Sequence, residues 1–142
     1  MRVGVIAGNF DVIHPGYIAM FDIMMDECDE VVVFLQDDPT IERPEKCKPI
    51  LSIAERVDII GSLHQVDHIL TYNLEKELYT HLKNFANNDN EIIRYLGDDY
   101  IDKPFTGDDL PFRVRFLSRD HGWSTTKFKK LIADEVQRSS NI

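Results

Sequence analysis

Two short β-branched runs, "RVGVIA" at 2–7 and "EVVVFLQ" at 30–36, flank a segment with helical spacing, and this pattern limits the fold more than any other feature of the chain. Runs of this length with no polar alternation suit strands buried on both faces, as in a parallel sheet. Parallel neighbours cannot be joined by a hairpin, so "GYIAMFDIMMDE" at 16–27, with Ile18, Phe21 and Met25 at helical spacing, reads as the crossover of a βαβ unit. Its methionines are expected in the core. The alternation continues. Ser52 and Glu55 form a capping box ahead of "IAERVDIIGSLHQ", "HIL" at 68–70 is a short strand, and "LEKELYTHLKNFA" at 74–86 a helix. "EIIRYL" at 91–96 and "FRVRFL" at 112–117 complete five strands, and a last helix from Ser124 to Val136 leaves 136–142 as a frayed tail.

The expected fold is α/β, an open, mostly parallel five-stranded sheet with helices on both faces. The 142 residues fit a single domain over 1–142, with no internal repeat or linker. Ligands bind such sheets beyond the carboxyl ends of the strands, where strand order reverses. The irregular segments after strands one, two, four and five all open on that edge.

The first of these, "GNFDVIHPGY" at 8–17, allows two readings. It is either a turn that contains a histidine or a backbone cradle for an anion. Gly8 permits a sharp turn, and Pro15 and Gly16 open a helix whose positive end would face it, beside His14. The second, "SRDHGWSTTKFKK" at 118–130, puts Arg119 just after a strand and Ser124, Thr125 and Thr126 at a helix start. An N-cap accounts for one hydroxyl; three hydroxyls and an arginine fit a phosphate better.

Charge bears on which anions are credible. With 25 Asp and Glu against 16 Lys and Arg, the formal net charge is −9, which argues against a broad nucleic-acid or anionic-membrane surface. Any anion must be gathered locally. Cys28 and Cys47 have neither disulfide-framework nor metal-ligand spacing and read as free thiols in a reducing compartment. The start of the chain shows no charged leader or long apolar run, so membrane insertion is not expected and a cytoplasmic setting is.

The two stretches resemble the GTFDxxHxGH and RTxGxSTT signatures of the cytidylyltransferase-like nucleotidyltransferases, a Rossmann-like family, most closely its glycerol-3-phosphate cytidylyltransferase branch. The resemblance implies that CMP passes from CTP to an alcohol phosphate such as glycerol 3-phosphate, with pyrophosphate leaving and Mg²⁺ held mainly by the nucleotide phosphates. Gly8, Asn9 and Phe10 would lie against the nucleotide, His14 and Gly16 against its phosphates, and Arg119, Ser124, Thr125 and Thr126 would hold it from the other side. "YLGDDY" at 95–100 resembles the family's Gly-Asp-Asp strand end and puts Asp98 near the nucleotide or a metal. Lys46 and Lys48 match lysines that reach the triphosphate and the acceptor phosphate, and Arg56 an arginine of the same site. His14, Tyr17, Lys46 and Arg119 are the catalytic candidates. A homodimer is common in the family.

Tyr17 departs from the pattern, since the family has histidine there. A phenol can donate one hydrogen bond but cannot supply an imidazolium. Asn9 replaces a threonine, and His64 stands where a helix arginine is expected. An ATP-using adenylyltransferase and an impaired nucleotide-binding relative are the alternatives. His64 and His68 have a metal-compatible spacing but no third ligand. His81 reads as solvated, His121 as able to approach phosphate, and Trp123 as packing beneath a helix start.

Overall fold

The computed structural model describes residues 1–86 and 89–141. Its five strands, β1 (Arg2–Gly8), β2 (Glu30–Gln36), β3 (His68–Tyr72), β4 (Glu91–Gly97) and β5 (Arg113–Leu117), form one sheet in the order β3-β2-β1-β4-β5. Every pairing is parallel. The order reverses between β1 and β4, which makes the crevice beyond Gly8 and Gly97 the switch point.

Helices α1 (Pro15–Glu27) and α2 (Ile53–Gly61) cover one face, and α3 (Glu75–Ala86) the other. The α1 face holds Phe21, Met24, Val33, Ile60 and Tyr95; the α3 face holds Val5, Phe34, Leu78 and Leu82. Phe21 and Met24 are completely buried, each contributing about 1.5–3 kcal/mol of transfer free energy. The helix presents 17, 20, 21 and 24 to the sheet. Met24 therefore takes the core place expected of Met25, which is 38% exposed, and Met20 packs at the core's margin.

Ser52 Oγ accepts from the Glu55 amide at 3.1 Å while Glu55 Oε1 accepts from the Ser52 amide at 2.9 Å, so the expected capping box forms. α2 stops at Gly61, short of the expected Gln65. Helix α4 (Thr125–Ser140) continues through most of the expected frayed tail. Arg138 pairs with Glu135 one turn back, and Ser140 Oγ donates to the Val136 carbonyl at 2.9 Å. No residue of α4 is buried, and Leu131, Ile132 and Val136 are 53%, 45% and 61% exposed.

His81, expected in solvent, stacks on Phe34 with centroids 5.8 Å apart and places Nε2 3.1 Å from the Thr71 carbonyl. Its helix turns that face onto the sheet. His68 lies on β3, with Nε2 3.3 Å from Glu30. Cys28 and Cys47 are free thiols. Among the described residues no helix is long and apolar enough to cross a membrane.

Candidate active site at the sheet switch point

The loop leaving β1 turns through Phe10, whose φ of 44° is left-handed and unusual for a bulky residue. Its ring, 4% exposed, is held edge-on to Tyr17 at 5.1 Å and against Phe21 at 5.7 Å. Two buried charges fix this loop. Arg56, 1% exposed, donates from Nη1 to the Asn9 and Gln36 carbonyls, from Nη2 to Asp37 and from Nε to Leu51, at 2.6–3.0 Å. It ties the ends of β1 and β2 to the start of α2. Its guanidinium is thus a structural clamp, and it borders the opening that Lys48 also lines.

Asp11 is the second. Buried to 1% exposure, it accepts from the Ile50 and Leu51 amides at 2.7 and 2.9 Å and meets Lys129 Nζ at 2.6 Å. One carboxylate thus joins the β1 loop, the proline-rich loop and α4. Burial works against its ionised form, but the Lys129 ammonium and the two amides outweigh burial and hold its carboxyl below the usual range.

His14 caps α1. Its Nδ1 accepts from the Gly16 amide at 3.1 Å, and its carbonyl accepts from Tyr17 at 3.0 Å. Pro15 has no N–H, so the amides expected to cradle an anion are already engaged by the histidine. What the helix start offers is the imidazole itself. With Nδ1 as acceptor, the neutral ring carries its proton on Nε2, and that atom is buried with no partner. The Gly16 N–H polarises the ring and strengthens this donor.

His121 repeats the device. Its Nδ1 accepts from the Trp123 amide at 2.9 Å, and its Nε2 is likewise buried without a partner. The two rings converge over Gly16, where a Cβ would lie 2.7 Å from His121 Cε1 and 2.9 Å from His14 Cε1. Glycine is required there for room. The imidazole of His14 is stacked between Tyr17, at 4.1 Å, and Trp123, at 5.7 Å. Burial, followed by His121 and Arg119, lowers its pKa and favours the neutral form.

Tyr17 directs its hydroxyl to Thr125 Oγ1 at 2.5 Å. It orients His14 and joins α1 to α4 through this bond, in which either hydroxyl can be the donor. Ser124 is the N-cap of α4, accepting from Lys127 at 3.1 Å, and Thr126 is exposed outside the cavities. The three hydroxyls thus separate into a cap, a bridge and a surface group. Gly122, at φ 78°, makes the left-handed turn into α4.

Arg119 lies across Gly97, its Nε 2.9 Å from Asp99 Oδ1 and its amide 3.3 Å from Asp98 Oδ2. The Gly-Asp-Asp turn therefore positions the arginine. Arg119 and Tyr17 line both a small cavity of about 50 Å³, shared with His14 and His121, and a larger one of about 520 Å³. The larger cavity runs from Gly8, Asn9 and Phe10 to Lys46, Tyr72 and Arg94. Lys48 is not part of it. It faces a separate opening beside Asp37 and Asp38, because the chain turns at Lys46, whose amide donates to the Arg43 carbonyl at 3.0 Å.

Sequence reasoning missed Asp11 and Arg94. Asp11 sits inside the quoted first stretch, and Arg94 is the one charge within the apolar β4 run "IIRYL". Arg94 is 5% exposed, and its Nε and Nη1 have no hydrogen-bond partner.

An open parallel sheet with paired imidazole donors, an arginine and two cavities at its switch point has the architecture of α/β domains that take ligands in that crevice. The cytidylyltransferase-like family model matches residues 5–130, and the chain belongs to that family. It is 28% identical over 141 residues to the bifunctional protein HldE of Gluconacetobacter diazotrophicus, covering 89% of this chain and 26% of that protein. It is 29% identical over 129 residues to HldE of Campylobacter jejuni, covering 90% and 27%. The chain thus spans about a quarter of the length of these relatives. A lipopolysaccharide core biosynthesis protein from Thermoplasma volcanium superposes with a TM-score of 0.61 at 24% identity, over 83% of this chain and 94% of that one. NadR, in complex with NR, gives 0.59 at 18%, over 91% and 40%. These likenesses show the same fold.

Proposed function

We propose that the chain transfers CMP from CTP to an alcohol phosphate, of which glycerol 3-phosphate is the simplest. A phosphate oxygen of the acceptor attacks the α-phosphorus, the bond to the bridging oxygen of the β-phosphate breaks, and pyrophosphate leaves without a covalent enzyme intermediate. Positioning and electrostatic stabilisation suffice for such a step. Membership of a nucleotidyl-transferring family supports the reaction class, and the observation that carries the reading is the pair of imidazoles with locked tautomers and unpartnered Nε2 donors.

In this reading His14 and His121 donate to the triphosphate as charge moves onto the leaving pyrophosphate. His121 thereby supplies the second imidazole that Tyr17 does not. Arg119, held by Asp99, adds charge at the cavity mouth, and Lys46 reaches in from the proline-rich loop. Gly8, Asn9 and Phe10 present backbone to the nucleotide, and the α4 start adds first-turn amides that have no intrahelical acceptor. Mg²⁺ would be carried mainly by the phosphates, with Asp98 as a carboxylate at that edge. A homodimer would use the exposed apolar side of α4.

The test is pyrophosphate release with Mg²⁺, offering CTP or ATP with glycerol 3-phosphate and other alcohol phosphates, and His14→Ala as control. Release with CTP that is lost in the control supports the proposal. Release only with ATP would make the protein an adenylyltransferase, and nucleotide binding without release an impaired relative.

A further inference from the structure

The far end of the 520 Å³ cavity has a chemistry of its own. Arg94 projects from the middle of β4 on the α3 side, beside Tyr72, Glu75 and Tyr100. A guanidinium is charged at any physiological pH, and burying it without a hydrogen-bonded counter-ion is unfavourable. The nearby carboxylates do not complete it. Glu75 Oε1 accepts from Arg43 at 3.0 Å and Oε2 from Thr106 at 2.8 Å, while Glu42 Oε1 accepts from the Glu75 amide at 2.6 Å. Arg94 Nε and Nη1 remain unpartnered. Arg56 shows the contrast, being buried with four backbone carbonyls around it and the Asp37 carboxylate 3.6 Å away.

Position gives the scale. Arg94 pairs with Val5, three residues before the level of Gly8 and Gly97, or about 10 Å along the strand. Arg94 thus springs from deeper in the cavity than the strand ends, where this reading puts the transferring phosphates. It matches the other end of a short, extended acceptor. Arg43, Lys46 and Arg119 line the same cavity with Arg94, against the carboxylates of Glu42 and Glu75, and Glu75 is already engaged by Arg43 and Thr106, so the balance disfavours a cationic head group.

We infer that Arg94 is the anchor of the acceptor site, and that the natural acceptor is an alcohol phosphate bearing a second oxyanion, a carboxylate or another phosphate, at its far end. The inference rests on the nucleotidyl-transfer reading for the identity of the near end. Glycerol 3-phosphate would fill only that near half. The planar fork of arginine suits bidentate pairing with either oxyanion, and the burial of Arg94 strengthens the pairing.

The test compares 6-phosphogluconate with sorbitol 6-phosphate, six-carbon chains that share the phosphate and differ in a terminal carboxylate against a hydroxymethyl group. A hexitol 1,6-bisphosphate distinguishes a carboxylate from a second phosphate. Each is titrated by calorimetry into protein saturated with α,β-methylene-CTP, so the readout is independent of turnover. The wild-type chain is expected to bind at least one doubly anionic probe tenfold or more tighter than sorbitol 6-phosphate. Arg94→Met should remove the preference with affinity for the CTP analogue retained, and Arg94→Lys should keep part of it. Absence of any preference in the wild type, or a preference undiminished in both variants, would overturn the inference. Absence of pyrophosphate release from every acceptor would instead refute the transferase reading and leave this comparison standing.

Discussion

Replacing Asp11 with asparagine should loosen the whole ligand edge of the sheet. The carboxylate is completely shielded from solvent and serves two backbone amides and the Lys129 ammonium, which is 18% exposed. Asparagine can satisfy one amide through its oxygen, but its NH₂ then faces the other amide or Lys129, a meeting of donors. Breaking a buried ion pair costs about 3–5 kcal/mol, and the partial exposure of Lys129 brings the expected loss to about 3 kcal/mol. A domain of this size loses about 3 °C of Tm per kcal/mol, so the drop should be about 9 °C.

Urea denaturation across pH tests the cause. Because the native pKa of Asp11 lies below its unfolded value, its ionised form stabilises the fold above that unfolded value, about 3.9. The gap between wild type and Asp11→Asn should therefore hold from pH 8 to about 4 and close as pH falls through the native pKa. A loss under about 1 kcal/mol at pH 7 would refute the argument, because it would mean that three short contacts to one buried carboxylate contribute no more than a surface pair.

Three further outcomes follow from the site. Burial, His121 and Arg119 hold the His14 pKa below its usual value, and Nδ1, the one site open to a further proton, already accepts from the Gly16 amide, so the ring should stay neutral when CTP binds near pH 6. Calorimetry in buffers of different ionisation enthalpy would measure proton uptake, which should match in wild type and His14→Ala; a larger uptake in the wild type would overturn the locked tautomer. Tyr17→Phe, which keeps the stacking and loses only the Thr125 bond, should slow turnover less than tenfold, whereas His121→Ala should cost about 10²–10³ in kcat; steady-state kinetics with CTP would rank them. In the proposed homodimer, Leu131→Glu on the exposed side of α4 should give a monomer in analytical ultracentrifugation with little change in Tm, and a wild-type chain that sediments as a monomer would refute that proposal.

The sheet was legible in the sequence because each strand is a short apolar run and each helix a periodic one, and local patterns of that kind survive folding. The capping box at Ser52 was legible for the same reason. Partnership was not. Arg56 and Arg94 are both arginines among apolar neighbours, yet one meets carbonyls from segments far apart in the chain and the other opens into a cavity. Lys46 and Lys48 are two residues apart and face different openings. His14 was read as standing beside free helix amides, and the structure has it accepting one of them and presenting its own Nε2. The order of strands, and so the crevice between β1 and β4, depends on pairings that no single segment encodes.

The attachment of α4 carries a thermodynamic consequence. With no buried residue of its own, this helix meets the rest of the chain through Thr125 on Tyr17, Phe128 near His14 and Trp123, and Lys129 on Asp11, each partner belonging to the ligand edge. Holding the helix down and organising the edge are therefore one equilibrium, and a ligand that favours the organised edge must also favour the docked helix by the same free energy. The carboxyl-terminal helix becomes a gauge: deuterium uptake at Phe128–Val136 would report occupancy of a crevice those residues scarcely line.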